Sequence, residues 1–144
     1  MLRAVCTALL LAWVVACAAA PGRMNSGSSS ISVRPAVSEP FRLRAGQVAS
    51  VGGGELAVLF RGVTHDSRCP ADVNCVWAGD AVVVIVTTAG SAPWRQADLH
   101  TGVEPRQVQA GNHAVTLVAL EPSTRQGVQI RPGNYLAVLR VDRR

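Results

Sequence analysis

From Phe41 onward, apolar and polar residues alternate with a period of two, and glycine, proline and asparagine punctuate the pattern. Phe41, Leu43 and Ala45 alternate with Arg42 and Arg44, which predicts a strand with one buried and one solvated face. Val48 to Val51 follows beyond Gly46, and Gly52-Gly53-Gly54 is a turn signal. Leu56, Val58 and Phe60 then alternate with Ala57, Leu59 and Arg61, and Val63 lies beyond Gly62. Ala81 to Val86 is apolar on both faces, the pattern of a central strand covered on two sides. Trp94 to His100 reads as a weaker strand and Arg106 to Gln109 as a short edge strand. Gly111-Asn112 is a tight turn leading into Ala114 to Leu120. A loop from Glu121 to Asn134 precedes the last strand, Tyr135 to Val141. No window has helical periodicity of useful length. Seven or eight short strands at this spacing predict an all-β fold, an antiparallel, immunoglobulin-like β-sandwich in preference to a small barrel.

Composition narrows what such a domain can do. A chain of 144 residues, 49% apolar, holds one core made mainly of Val, Leu and Ala. The net charge of +5 is carried by arginine alone, because the sequence contains no lysine. That excludes a P-loop lysine, a Schiff-base lysine and a lysine general base. The arginines are scattered and do not interleave with the few aromatics, so nucleic acid is not an expected partner.

The first residues decide the compartment. Arg3 is followed by an uncharged apolar run from Ala4 to Ala16, the length of a signal-peptide core and short for a membrane span. Val14-Val15-Ala16-Cys17 resembles the lipobox of bacterial lipoproteins. The resemblance implies cleavage after Ala16, a diacylglyceryl thioether on Cys17 and acylation of the new amine, and two or more acyl chains anchor stably. An ordinary secretory leader cleaved near Ala18-Ala19-Ala20 is the alternative. Either way the protein is exported. With Ala rather than Asp at position 18, the lipoproteins it resembles go to the outer membrane of two-membrane cells, facing the periplasm. Residues 17–39, rich in Gly, Ser, Pro and Ala, are expected to form a flexible tether. About 20 such residues reach roughly 25 Å. The expected organisation is thus a leader at 1–16, a lipidated tether at 17–39 and a β-domain at 40–144.

Within that domain the stretch from Asp66 to Gly79 gathers Arg68, Cys69, Asp72, Asn74, Cys75 and Trp77. An oxidising compartment makes a Cys69–Cys75 disulfide the first expectation. Metal binding by His65, Cys69 and Cys75, with Asp66, is the sharper alternative, but Cys-x5-Cys lacks zinc-knuckle spacing and no second Cys/His pair follows. Asp66 is expected to accept backbone N–H groups, and Arg68 to pair with a carboxylate or carbonyl. Trp77 is expected to pack over the disulfide at one end of the core, with an exposed stacking surface as the alternative. Gly79 is expected at a tight bend into the following strand. His100 and His113, at strand ends, are expected to be solvated or satisfied within the core.

The string Asp-Ser-Arg-Cys-Pro through Cys75-Val-Trp-Ala-Gly, followed by a Val-rich strand, resembles a recurring group of small bacterial lipoproteins. Phe41-Arg-Leu, Leu117 to Pro122 and Tyr135 to Leu139 extend the likeness over nearly the whole domain. The resemblance brings no activity with it. There is no Gly-x-Ser-x-Gly, no His-Glu-x-x-His and no phosphate-binding glycine loop, and the nine carboxylates nominate no pair by spacing. The expected function is therefore non-catalytic and cofactor-free: a lipid-anchored accessory domain binding an envelope protein, peptide or glycan. The contact loop would use Asp66, Arg68, Asp72, Asn74 and Trp77. A periplasmic metal-binding protein and a loop-presenting proteinase inhibitor are the alternatives.

Overall fold

The computed structural model describes residues 32–144. The leader, Cys17 and the first part of the tether lie outside the described residues. Eight strands form in chain order: β1 (Phe41–Arg44), β2 (Val48–Val51), β3 (Leu56–Asp66), β4 (Ala81–Ala89), β5 (Arg95–His100), β6 (Gln107–Ala110), β7 (His113–Glu121) and β8 (Leu136–Arg143). They pair antiparallel in two four-stranded sheets, ordered β1-β8-β7-β6 and β2-β3-β4-β5. The expected all-β sandwich is what forms. Its connectivity is a flattened meander, in which the chain changes sheets only from β1 to β2 and from β5 to β6, rather than the Greek key of immunoglobulin domains.

The period-two pattern explains the layering. Val58, Phe60, Val83, Ile85 and Leu99 of one sheet face Leu43, Val115, Leu117, Leu139 and Val141 of the other across the interior, all essentially without solvent exposure. Each contributes about 1.5–3 kcal/mol by leaving water. The double-sided run in β4 is covered less evenly than its sequence suggested. Ala81, Val83 and Ile85 point inward, and Val84 is buried on the other face, but Val82 and Val86 are only half-buried. The reason is that β4 lies between β3 and β5 within one sheet, and a two-layer sandwich has no third layer to cover its back.

Residues ahead of Phe41 join the domain too. Val33 bridges to Ala49 in parallel, and Ser38 N–H donates to the Val141 carbonyl at 2.7 Å. The registers set the loops at two ends. The β1–β2, β3–β4, β5–β6 and β7–β8 connections share one end, and the β2–β3, β4–β5 and β6–β7 turns share the other.

Candidate functional site

The Ser67–Asp80 loop extends the β3–β4 hairpin past the edge of the sandwich. Its arms stay paired: Ser67 N–H donates to Asp80 O at 2.7 Å, and Cys69 N–H to Ala78 O at 2.8 Å. Cys69 and Cys75, six positions apart, close the tip as a disulfide. Closing a loop this short restricts the unfolded chain by about 2 kcal/mol on the chain-entropy estimate. The Cys69→Ser/Cys75→Ser variant is accordingly expected to unfold at lower denaturant by about that amount, with the sandwich otherwise intact. An unchanged midpoint in urea would show that the bridge is dispensable.

Beneath the tip sits a polar knot. Asp66 and Arg68 flank Ser67 on the chain, and their side chains are only 9% and 14% exposed, with Nη2 2.7 Å from Oδ2. Arg68 also donates through Nε to Asp66 Oδ1 at 2.8 Å and reaches across the domain to the carbonyls of Leu120 (2.6 Å) and Pro122 (3.0 Å). Asp66 further accepts the Arg68 backbone N–H at 3.2 Å and the Tyr135 hydroxyl at 3.0 Å. Burial pushes the Asp66 carboxyl up, but the donors from Arg68 and Tyr135 overcome it and hold the group below its usual range. Burial and the neighbouring carboxylate both raise the Tyr135 phenol.

Two further latches hold the loop. Ala71 N–H donates to Thr124 O at 2.8 Å, and Gln126 N–H donates to Asp72 Oδ1 at 3.0 Å. The Thr124 hydroxyl donates to the carbonyls of Arg68 and Cys69. On the other flank Asp80 gathers the β5–β6 loop. Its Oδ2 lies 2.6 Å from His100 Nδ1, and its Oδ1 accepts from Thr101 N–H at 2.9 Å and Gly102 N–H at 2.8 Å. Burial opposes ionisation of Asp80, and the bonds from His100, Gly102 and Thr101 outweigh it, so its carboxyl also titrates low.

The expected contact residues therefore divide. Asp66 and Arg68 are turned inward, Asp72 is exposed and bonded to the β7–β8 loop, and Asn74 is exposed. Trp77 corrects the first expectation made for it. It is 82% exposed, Val76 beside it is 90% exposed, and neither belongs to the core. The loop carries them beyond both sheets, where no strand among the described residues lies opposite to cover an indole. Val103 on the β5–β6 loop and Val128 on the β7–β8 loop are exposed at the same end.

No protein-family model matches the chain, and no curated protein or solved structure matches it. What this end of the molecule can do has to follow from its own chemistry.

The disulfide removes both thiolates from the ligand set proposed with His65, and among the described residues no three His, Cys, Asp or Glu side chains gather around a point. A shallow cleft of about 320 Å³ runs beside the knot, lined by His65, Asp66, Thr124, Ile130 and Tyr135. Tyr135, Thr124, Asp80 and Gly102 complete this end and were not singled out from the sequence. Their partners lie on other loops, and no local spacing signals them.

Proposed function

We propose that this chain is an exported, lipid-anchored envelope lipoprotein whose sandwich is a non-catalytic binding domain. Cys17 holds it to a membrane, the periplasmic face of the outer membrane in a two-membrane cell. The β3–β4 loop presents Val76 and Trp77 to an envelope protein, peptide or glycan. The observation that carries this reading is the exposure of those two side chains, at 90% and 82%, on a loop latched by a disulfide and by both neighbouring loops. An aromatic held rigidly in water loses little conformational freedom on docking and brings a large apolar area to an interface. The ionisable groups beneath it are engaged with each other, which suits a scaffold rather than a reaction centre.

The anchor is supported by Val14-Val15-Ala16-Cys17 and by the resemblance to small lipoproteins. A braced convex loop would also suit a proteinase inhibitor, and inhibition across a protease panel would favour that reading. Trp77→Ala is expected to leave stability within about 0.5 kcal/mol, as for surface substitutions generally. It should nonetheless abolish partner recovery after mild crosslinking of whole envelopes. Cys17→Ser should abolish palmitate labelling and release the protein from membranes. Partner recovery unaffected by Trp77→Ala would remove the contact loop, and unchanged membrane fractionation of Cys17→Ser would remove the anchor.

A further inference from the structure

At the end opposite the cysteine loop, a cleft of about 470 Å³ opens between the two sheets. Glu55, directly ahead of β3, stands on one side, and Asn112, His113, Arg143 and Arg144 on the other. His113 departs from both outcomes expected of it. Its side chain is only 4% exposed, yet neither ring nitrogen has a hydrogen-bond partner among the described residues. A buried polar group left without a partner costs about 1–3 kcal/mol, and such groups in native proteins call for a reason. Glu55 Oε2 lies 3.6 Å from Nε2, and that oxygen already accepts Arg143 Nη2 at 2.8 Å. Arg144 forms no ion pair among the described residues. With the Gln109 amide turned to satisfy both its atoms, the oxygen accepts from Arg144 at 3.0 Å.

Donors thus outnumber acceptors around the cleft. Arg143, Arg144, His113 and Asn112 line a space in which Glu55 supplies the one side-chain carboxylate. Two arginines repel a cation from this position and suit a planar or tetrahedral oxyanion, which guanidinium grips through paired N–H groups. We propose that this cleft binds a small oxyanion, a phosphoryl or carboxylate group, held by Arg143 and Arg144 with the His113 ring N–H as its buried donor. Glu55 is the internal competitor. Its carboxylate occupies one arginine fork, and its half-exposed side chain can swing outward to yield that fork. The site is independent of the cysteine loop at the other end of the domain.

The test is a titration of the mature lipoprotein in detergent micelles, followed by the ring resonances of His113 in NMR, with His65 and His100 as internal controls. Inorganic phosphate and acetate are added separately at constant ionic strength, with chloride as the balancing ion. A third arm dopes the micelles with phosphatidylglycerol. The expected result is a saturable shift confined to His113, with a dissociation constant of about 1 mM. It should be lost in Arg143→Gln/Arg144→Gln, tightened about fivefold in Glu55→Gln, which frees the fork, and unchanged in Trp77→Ala. Saturation by phosphate identifies a phosphoryl ligand, and by acetate a carboxylate. Saturation only with doped micelles places the same oxyanion on a lipid headgroup. Shifts that stay linear in all three arms, or that survive loss of both arginines, would overturn the site. Weaker binding by Glu55→Gln would overturn the competitor role.

Discussion

Gly79→Ala is expected to destabilise the domain by about 4 kcal/mol and to dislodge the cysteine loop, the largest effect of any single substitution considered. Gly79 has φ of +69°, where an alanine costs about 1–2 kcal/mol on its own. The remainder is steric. A Cβ there would overlap the Ser67 carbonyl oxygen, lie 2.7 Å from its carbon and 3.0 Å from Arg68 Cα. These are backbone atoms at the foot of the loop, fixed by the bond from Ser67 N–H to Asp80 O, and they cannot swing aside as a long side chain would. The crowding continues outward, since a Cβ on Gly102 would overlap the Gly79 carbonyl oxygen. The two glycines are where the β3–β4 and β5–β6 loops meet backbone to backbone. Urea unfolding of Gly79→Ala, Gly102→Ala and the double variant checks this, and because the sites share a contact the two effects should not add. A Gly79→Ala midpoint within about 1 kcal/mol of the parent would show that the loop relaxes freely.

The second large effect concerns Asp66. Asp66→Ala leaves the Arg68 guanidinium buried without its carboxylate, and breaking such a pair from one side costs about 3 kcal/mol. For a domain of this size that corresponds to a melting temperature lower by roughly 10–15 °C. Replacing Arg68 with methionine as well should recover part of the loss, because it removes the unpaired charge rather than adding a second defect. A double variant less stable than either single one would contradict that account. The pH dependence follows from the same knot. The Asp66 carboxyl is held below its ordinary value in the folded state, so it binds its proton more readily unfolded. Its contribution is therefore complete above the unfolded value, about pH 4, and is lost as pH falls through the lower folded value. Asp80, also held low by His100 and the β5–β6 backbone, acts in the same direction. Thermal melts between pH 6 and 2 should thus fall less steeply for Asp66→Ala than for the parent, without becoming flat while Asp80 remains. Parallel curves would assign the acid sensitivity elsewhere.

Much of the fold could be read along the chain because its signals are local. Leu56, Val58 and Phe60 alternate with residues on the other face, and all three are buried where the sheet meets its partner. The short polar segment before Gly111 forms β6 at a sheet edge. Asp66 accepts the Arg68 backbone N–H, as the turn chemistry of an aspartate suggests. Cys69 and Cys75 form the bridge expected of two nearby cysteines in an oxidising compartment.

What could not be read depends on which loop meets which. Trp77 follows Cys75 by two positions, which suggested an indole packed on the disulfide. Where the hairpin leaves the sandwich is set by the length of the sheets, and Trp77 lies past that limit. Arg68 was expected to find a carboxylate or a carbonyl, but the carbonyls of Leu120 and Pro122 come from the far side of the chain. His113 sits at a strand end like His100, yet only His100 meets a carboxylate at hydrogen-bonding distance.

By itself the sequence determined an all-β domain, its strands and the pairing of two nearby cysteines, since hydrophobic period and loop closure act over a few residues. Only the tertiary structure decided that Asp66 and Arg68 are largely buried against each other, that Val76 and Trp77 face water, and that His113, Glu55, Arg143 and Arg144 share a cleft. Those outcomes depend on strand register and on how far each hairpin outruns its sheet, which bring together residues that no local pattern connects.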